Sequence, residues 1–348
     1  MNKFFKLAIL ALFLCSFSFI LNSCAKYKKK TAPKKIEIKK SFYSMGTFWE
    51  IKVVSSYKNK LRDLNAVAAA EKRVRQLDGI LSNYKPSSNV SLINRYAGIK
   101  PVIAAPDTLR LLKLSLKFYK LTYKTFNVTV EPIMKIWGFY SKKYVVPDDK
   151  NIRNAVLLDN PKFIKIKGNK VFLEKKNMGI DFGGDGEGYG IDGALFVLKR
   201  YGVKNALING GGQITAIGKN LKGKYWRVGL LNPLDKNKIV KIIRLKNASL
   251  NTSANYENHF LYKGKYYGHI MNPKTGTPIN SEFLSDTVIV KNKYFKLPST
   301  VSDALSCAFF ILNRKQIHRV IKKLNKPIKV VLIKKADNKP GFKIYLLK

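Results

Sequence analysis

The 348-residue sequence predicts an α+β fold in one compact unit, with mixed sheets, packed helices and room for two lobes. Two observations carry this. Helix-spaced and strand-spaced apolar patterns follow one another irregularly, without the steady strand-helix succession of a doubly wound sheet. No internal repeat and no long linker interrupts the chain after residue 45.

The chain opens MNKFFKLAILALFLCSFSFILNSC, in which Lys3 and Lys6 precede an apolar run broken by serines. This is the outline of a secretory signal peptide over residues 1–23, with an uncleaved N-terminal anchor as the other reading. Either places the body outside the cytoplasm. Leu21-Asn22-Ser23-Cys24 is similar to a bacterial lipobox, which implies lipid on Cys24 and a membrane-anchored lipoprotein of the cell envelope, on the periplasmic side of the inner membrane. Residues 24–42 then read as a lysine-rich tether, either solvated or lying on anionic lipid. With Cys15 in the signal and Cys24 lipidated, Cys307 is the one thiol of the mature domain, and no disulfide framework exists.

Lys and Arg number 66 against 21 acids, a formal net charge of +45. Such a balance invites nucleic acid or anionic membrane as partner. The lysines are spread through every segment, however, and no helix-turn-helix, zinc-finger or RNP pattern accompanies them; with export, this argues against nucleic-acid binding.

Residues 43–348 form the predicted domain. After Met45-Gly46-Thr47, FWEIKVVSS alternates as a strand does. Apolar residues at helical spacing predict helices over Asn59 to Leu81 and Thr108 to Lys124, with the turn-rich LSNYKPSSNVSLIN between them. FIKIKGNKVFLEK predicts a hairpin through Gly168-Asn169. Strands are expected at Asn205 to Ile208, Tyr225 to Leu231, Ile239 to Leu245 and Thr287 to Val290, and helices at Tyr189 to Arg200 and Ser302 to Leu312.

DFGGDGEGYGID, residues 181–192, places five glycines and four acids in twelve positions of this basic chain. Glycines let backbone amides approach a phosphate, and neighbouring acids can hold Mg2+ or a ribose hydroxyl. The other reading is a tight strand-to-helix turn whose acids cap a helix start. Gly188-Tyr189-Gly190-Ile191-Asp192-Gly193 matches G-x-G-x-x-G formally. The ribose-binding acid expected some twenty residues on is absent, which argues against a dinucleotide fold.

Taken with NVTVEPIMKIWGFY (127–140), ALINGGGQITAIG (206–218), NTSANYENHFLYKGKYYGHIMNPKTGTPI (251–279), Met45-Gly46-Thr47 and SDALSCAFFIL (302–312), these stretches resemble the ApbE family, the FAD:protein FMN transferases of bacterial envelopes. The resemblance runs in order from about residue 43 to 313. It implies cleavage of FAD at its pyrophosphate, with Mg2+ as cofactor, release of AMP, and attachment of FMN through a phosphoester to a Ser or Thr of a partner, the flavin-carrying subunit of an envelope redox complex. By the same resemblance, Met45, Tyr84, Thr125, Phe126, Asn127, Asp181, Glu187 and Met271 would line the FAD site. Gly184 would give a carbonyl to the metal, with Asp303, Ser306 and Cys307 at the second metal element. His269 would be the base that takes the acceptor hydroxyl's proton, bracing of the turn being its other reading.

Three positions depart from the family's pattern. Cys307 stands where a Thr is usual, and thiol sulfur is a poor partner for a hard ion. Asn127 and Asn272 stand where Asp is usual. Asn272 has a second reading as an Asx turn feeding Pro273. The same site could hydrolyse FAD to FMN and AMP, or hold flavin without turnover, as the three departures would allow.

Overall fold

The computed structural model describes residues 34–254, 259–336 and 341–348, and the unit spanning Ile36–Lys348 contains every element discussed here. The strands are β1 (Lys35–Ser44), β2 (Thr47–Ser56), β3 (Val102–Ile103), β4 (Ile164–Lys167), β5 (Lys170–Leu173), β6 (Ala206–Gly210), β7 (Gln213–Ile217), β8 (Trp226–Asn232), β9 (Asp235–Leu245), β10 (Ala248–Ala254), β11 (His259–Tyr262), β12 (Lys265–Gly268), β13 (Met271–Asn272), β14 (Thr277–Pro278), β15 (Ser285–Lys291), β16 (Ile328–Lys335) and β17 (Phe342–Leu347). The helices are α1 (Lys60–Leu81), α2 (Asn89–Arg95), α3 (Pro106–Leu121), α4 (Glu131–Ile136), α5 (Asp149–Leu158), α6 (Gly186–Arg200), α7 (Pro298–Phe309) and α8 (Arg314–Leu324).

An eight-stranded sheet in the order β1-β2-β6-β7-β10-β15-β16-β17 is the frame. Alternate residues of its strands feed two faces, as the period of two requires. Ile51, Val53, Ile208 and Ile217 meet Ala66, Val67, Ala70 and Val74 of α1 and Ile191, Leu195 and Leu198 of α6. Further along the same face, Val288, Val290, Val330 and Leu332 meet Ala304, Leu305, Ala308 and Phe309 of α7 and Ile317 and Val320 of α8. Val54, Leu207, Leu250 and Val331 point the other way, where the β8-β9 hairpin closes them off with Trp226, Val228 and Leu245. A smaller sheet, β3-β5-β4, packs with α2 and α3 around Leu111, Leu112, Val171 and Met178. Strands and helices are mixed as expected for α+β.

Several boundaries differ from the sequence reading, each for a local reason. The tether expected over 24–42 is shorter at its C-terminal end, because Lys35–Ser44 is the first strand of the large sheet with Ile38 and Phe42 buried. Cys24, the signal peptide and the rest of the tether lie outside the described residues. The turn-rich stretch contains α2, whose start is capped by Ser88 accepting from the Ser91 amide at 2.9 Å. The helix expected to reach Lys124 stops at Leu121, since Tyr123 and Lys124 have φ of 54° and 68°. The helix expected from Ser302 begins a turn earlier at Pro298, a residue suited to the first helical turn.

Candidate active site

The segment 181–192 is a turn followed by a helix start. Residues 183–185 form the turn and α6 begins at Gly186. Two of the segment's five glycines, Gly188 and Gly190, together with Gly193 just beyond it, serve close packing rather than ligand approach. A Cβ on Gly188 would lie 2.6 Å from the Ser299 carbonyl oxygen, and one on Gly190 would lie 2.8 Å from Met45 Sδ. One on Gly193 would lie 2.8 Å from Leu77. The G-x-G-x-x-G match is therefore a close-packing stripe inside a helix. Only Gly183 and Gly184 remain in the turn itself. The Gly183 amide donates to Asp181 Oδ1, and a Cβ on Gly184 would meet Phe126 at 3.0 Å and Cys307 Sγ at 3.3 Å.

The close α6-α7 crossing brings the second metal element to the same place. The Gly188 amide donates to Asp303 Oδ2 at 2.9 Å, and the Asn251 amide of β10 donates to Asp303 Oδ1 and to Ser306 Oγ, both at 2.8 Å. Ser306 Oγ in turn donates to the Asp303 carbonyl at 3.0 Å. Burial, then the charge of Glu187, holds the Asp303 carboxyl well above the usual carboxylate range. Burial also pushes the Cys307 thiol up, reinforced by Asp303, Asp286, Asp185 and Asp181. Without a bound ion this thiol therefore stays protonated at neutral pH and is no nucleophile. Asp185 is fully buried; its Oδ2 accepts from Ser115 Oγ at 2.6 Å, whereas its Oδ1 has no partner among the described residues.

On the other side of the turn stands an aromatic pair. Tyr84 is 66% exposed, and its ring meets Tyr140 edge-on with centroids 5.6 Å apart. The Tyr140 hydroxyl donates to Asp181 Oδ2. Burial and the Asp181 charge push that phenol well up, so it remains a donor. Glu131 of α4 lies close by, against Gly179, and burial raises its carboxyl to about 7. Glu187 reaches the NGGG turn after β6, where a Cβ on Gly211 would lie 2.8 Å from Glu187 Oε2 and 2.9 Å from Thr47 Oγ1.

The structure thus gathers Met45, Tyr84, Phe126, Asp181, Gly184, Glu187, Asp303, Ser306 and Cys307 around the start of α6. Other expected residues stand differently. Asn127 is spent inside the protein: its amide donates to Asp159 Oδ1 at 2.6 Å and to the Asp159 carbonyl at 3.2 Å. Its Oδ1 accepts from the Thr129 amide and hydroxyl. The hydrogen-bonding capacity of this side chain is thus used within the protein. Thr125 gives its hydroxyl to the Thr122 carbonyl at 2.7 Å and is buried. Met271 is buried against Trp137 and Ile133 in an aromatic wall that includes Phe260 and Tyr267. His269 lies in the short connection between β12 and β13. Asn272 forms the Asx turn, accepting from the Lys274 amide at 3.0 Å.

Residues that the sequence did not single out include Tyr140, Asp185, Asn251, Ser253 and Asp192. Tyr140 ended a quoted motif, but nothing in a sequence says which aromatic touches an acid 41 residues away. Two shallow surface hollows, lined among others by Lys72, Arg73 and Arg200, lie on the outer side of α1 and the far end of α6, away from these groups.

Among the described residues, no three His, Cys, Asp or Glu side chains converge on one point as a ready metal cage. The donors that do cluster are carboxylates, a serine hydroxyl and turn carbonyls, with an unpartnered buried Asp185 oxygen beside them. Such a set fits a hard divalent ion that keeps waters and shares substrate phosphates. Only the Cys307 sulfur does not fit.

This arrangement belongs to a known family. The sequence profile of the ApbE family matches residues 45–332, and the chain belongs to that family. The FAD:protein FMN transferase of Vibrio cholerae is 26% identical over 306 residues, covering 87% of this chain and 88% of that protein. The one from Buchnera aphidicola subsp. Schizaphis graminum is 28% identical over 326 residues, covering 90% and 92%. The solved structure of the flavin transferase ApbE from Vibrio cholerae matches with a TM-score of 0.77 at 25% identity, covering 90% of this chain and 97% of that one. The apo flavinyl transferase ApbE of Pseudomonas stutzeri matches with 0.75 at 25% identity, covering 90% and 95%.

Proposed function

We propose that this protein is a Mg2+-dependent FAD:protein FMN transferase, which cleaves FAD and attaches FMN through a phosphoester to a Thr or Ser of an envelope redox protein, releasing AMP. The observation that carries the reading is the meeting of Asp303, Ser306 and the Gly183-Gly184 turn at the start of α6. A helix start with a glycine turn is suited to a pyrophosphate, because the helix dipole favours negative charge there.

The chain's own groups divide the work as follows. Asp303, Ser306 and the Gly184 carbonyl would hold Mg2+, which when bound neutralises phosphate charge. Tyr140 keeps Asp181 in place, and Tyr84 presents an exposed ring for the flavin. Glu187, held between Thr47 and the NGGG turn, would orient the nucleotide. His269 would take the proton from the acceptor hydroxyl as that oxygen attacks the FMN phosphorus. Cys24 would carry the lipid that keeps the domain at the membrane, outside the cytoplasm.

The test incubates the full-length protein in detergent with FAD, Mg2+ and a Thr-containing acceptor domain, and reads AMP release and acceptor mass. An FMN-sized mass gain, lost in His269→Ala, is expected. AMP without a mass gain would instead identify an FAD pyrophosphatase, and neither product would identify a flavin-binding lipoprotein.

A further inference from the structure

Asp286 is the one carboxylate of β15, a strand that otherwise reads Ser285-x-Thr287-Val288-Ile289-Val290 before Lys291. It is fully buried, and neither of its carboxylate oxygens has a hydrogen-bond partner among the described residues. An acid in that condition is unfavourable to keep, since burial without a partner disfavours the folded state even for a neutral polar group.

The register of the sheet says where it faces. Asp286 is the cross-strand partner of Ser253 on β10, and residues opposite one another on neighbouring strands project from the same face. Ser253 Oγ donates to Ser306 Oγ at 3.0 Å. Two residues along, Val288 pairs with Asn251, whose amide bonds both Asp303 and Ser306. Val288 and Val290 pack with Ala304, Leu305 and Ala308 of α7. Asp286 is therefore aimed at α7 beside Ser306, and its charge is among those acting on the neighbouring Cys307 thiol.

We propose that Asp286 is a ligand of the divalent cation, supplying from β15 the hard anionic oxygen that Cys307 cannot supply from α7. The inference rests on the metal-dependent reading of the site and assigns a ligand beyond the set that the family resemblance implies. It also explains both oddities together: a thiol where a hydroxyl is expected, and an unpartnered acid one strand away. An ion would draw Asp286 and Asp303 together from positions that surround Cys307 without yet converging.

The experiment measures Mn2+ binding to the full-length protein in detergent by electron paramagnetic resonance, without FAD. Asp286→Asn, which keeps the side chain's shape, is expected to weaken Mn2+ binding at least tenfold, and Cys307→Thr in that background to restore most of the loss. Wild-type protein that takes up no Mn2+, or an Asp286→Asn affinity within threefold of wild type, overturns the proposal. If the variant does not fold by circular dichroism, anomalous scattering from Mn2+-soaked wild-type crystals decides. An ion at about 2.0–2.6 Å from an Asp286 oxygen is then expected, and one out of ligand reach overturns it. The transferase reading is scored separately by acceptor mass: flavin transfer with unchanged Mn2+ affinity sinks only the ligand assignment, and lost Mn2+ affinity without any wild-type transfer sinks only the transferase.

Discussion

Two sets of buried aspartates meet the α6-α7 helix pair, and they are treated differently. Asp192 on α6 caps α7 outright: it accepts from the Ser299 amide at 3.1 Å, the Thr300 amide at 2.9 Å and the Thr300 hydroxyl at 2.8 Å. Near Cys307, among the described residues, Asp185 keeps one oxygen without a partner and Asp286 keeps two. A buried carboxylate whose lone pairs are filled from a helix start is a structural device. One left unfilled in a protein with 66 basic residues is not there for want of cations; its surroundings have kept them out. The contrast separates acids whose oxygens are filled by the fold from acids whose oxygens are not.

The largest expected effect tests an intermediate case. Asp159 is hydrogen-bonded by Asn127 and Thr129 through Oδ1, yet its Oδ2 has no partner among the described residues, and burial raises its carboxyl from the ordinary 3.8 to about 7. The native state therefore keeps a proton that the unfolded chain releases, and stability falls as pH rises from about 4 to about 7. In Asp159→Asn the difference in urea-unfolding free energy between pH 4 and pH 8 should shrink by up to about 4 kcal/mol. An unchanged difference would place Asp159 with the filled acids.

Next, Asp303→Asn should lower flavin transfer by roughly 100-fold, about 2.7 kcal/mol, with the fold intact by circular dichroism. Transfer at the wild-type rate would remove Asp303 from the ligand set. Asp192→Ala should do the reverse: it strips the start of α7 and lowers stability by about 2 kcal/mol in urea, while Mn2+ still binds. The smallest change is Cys307→Thr, for which Mn2+ affinity in the otherwise native chain should rise by a few-fold, roughly 1 kcal/mol. A fall would show that the sulfur is not what limits the site.

Much of the site was legible in the sequence because its motifs are contiguous. Asp181, Gly184 and Glu187 lie within seven residues, and Asp303, Ser306 and Cys307 within five, so local spacing and family resemblance find them. That the Asn127 side chain is bonded to Asp159 was not legible, because the two lie 32 residues apart. The helix α8 also carries a local signal: Asn313 and Gln316 form a capping box ahead of Ile317, Val320, Ile321 and Leu324. Asp286 showed as an acid in an otherwise apolar β run, a pattern whose meaning appears only when Ser253 is placed opposite.

By itself, the sequence determined the α+β class, the strand and helix periodicities and the family, because these depend on local spacing and on the order of motifs along the chain. Only the tertiary structure decided that Gly188 and Gly193 of α6 serve close helix crossings, that the Asn127 side chain faces inward, and that Asp286, Ser253 and Asn251 join α7 at one place. Those facts depend on sheet register and helix crossing, and a register shifted by one residue would turn Asp286 to the opposite face.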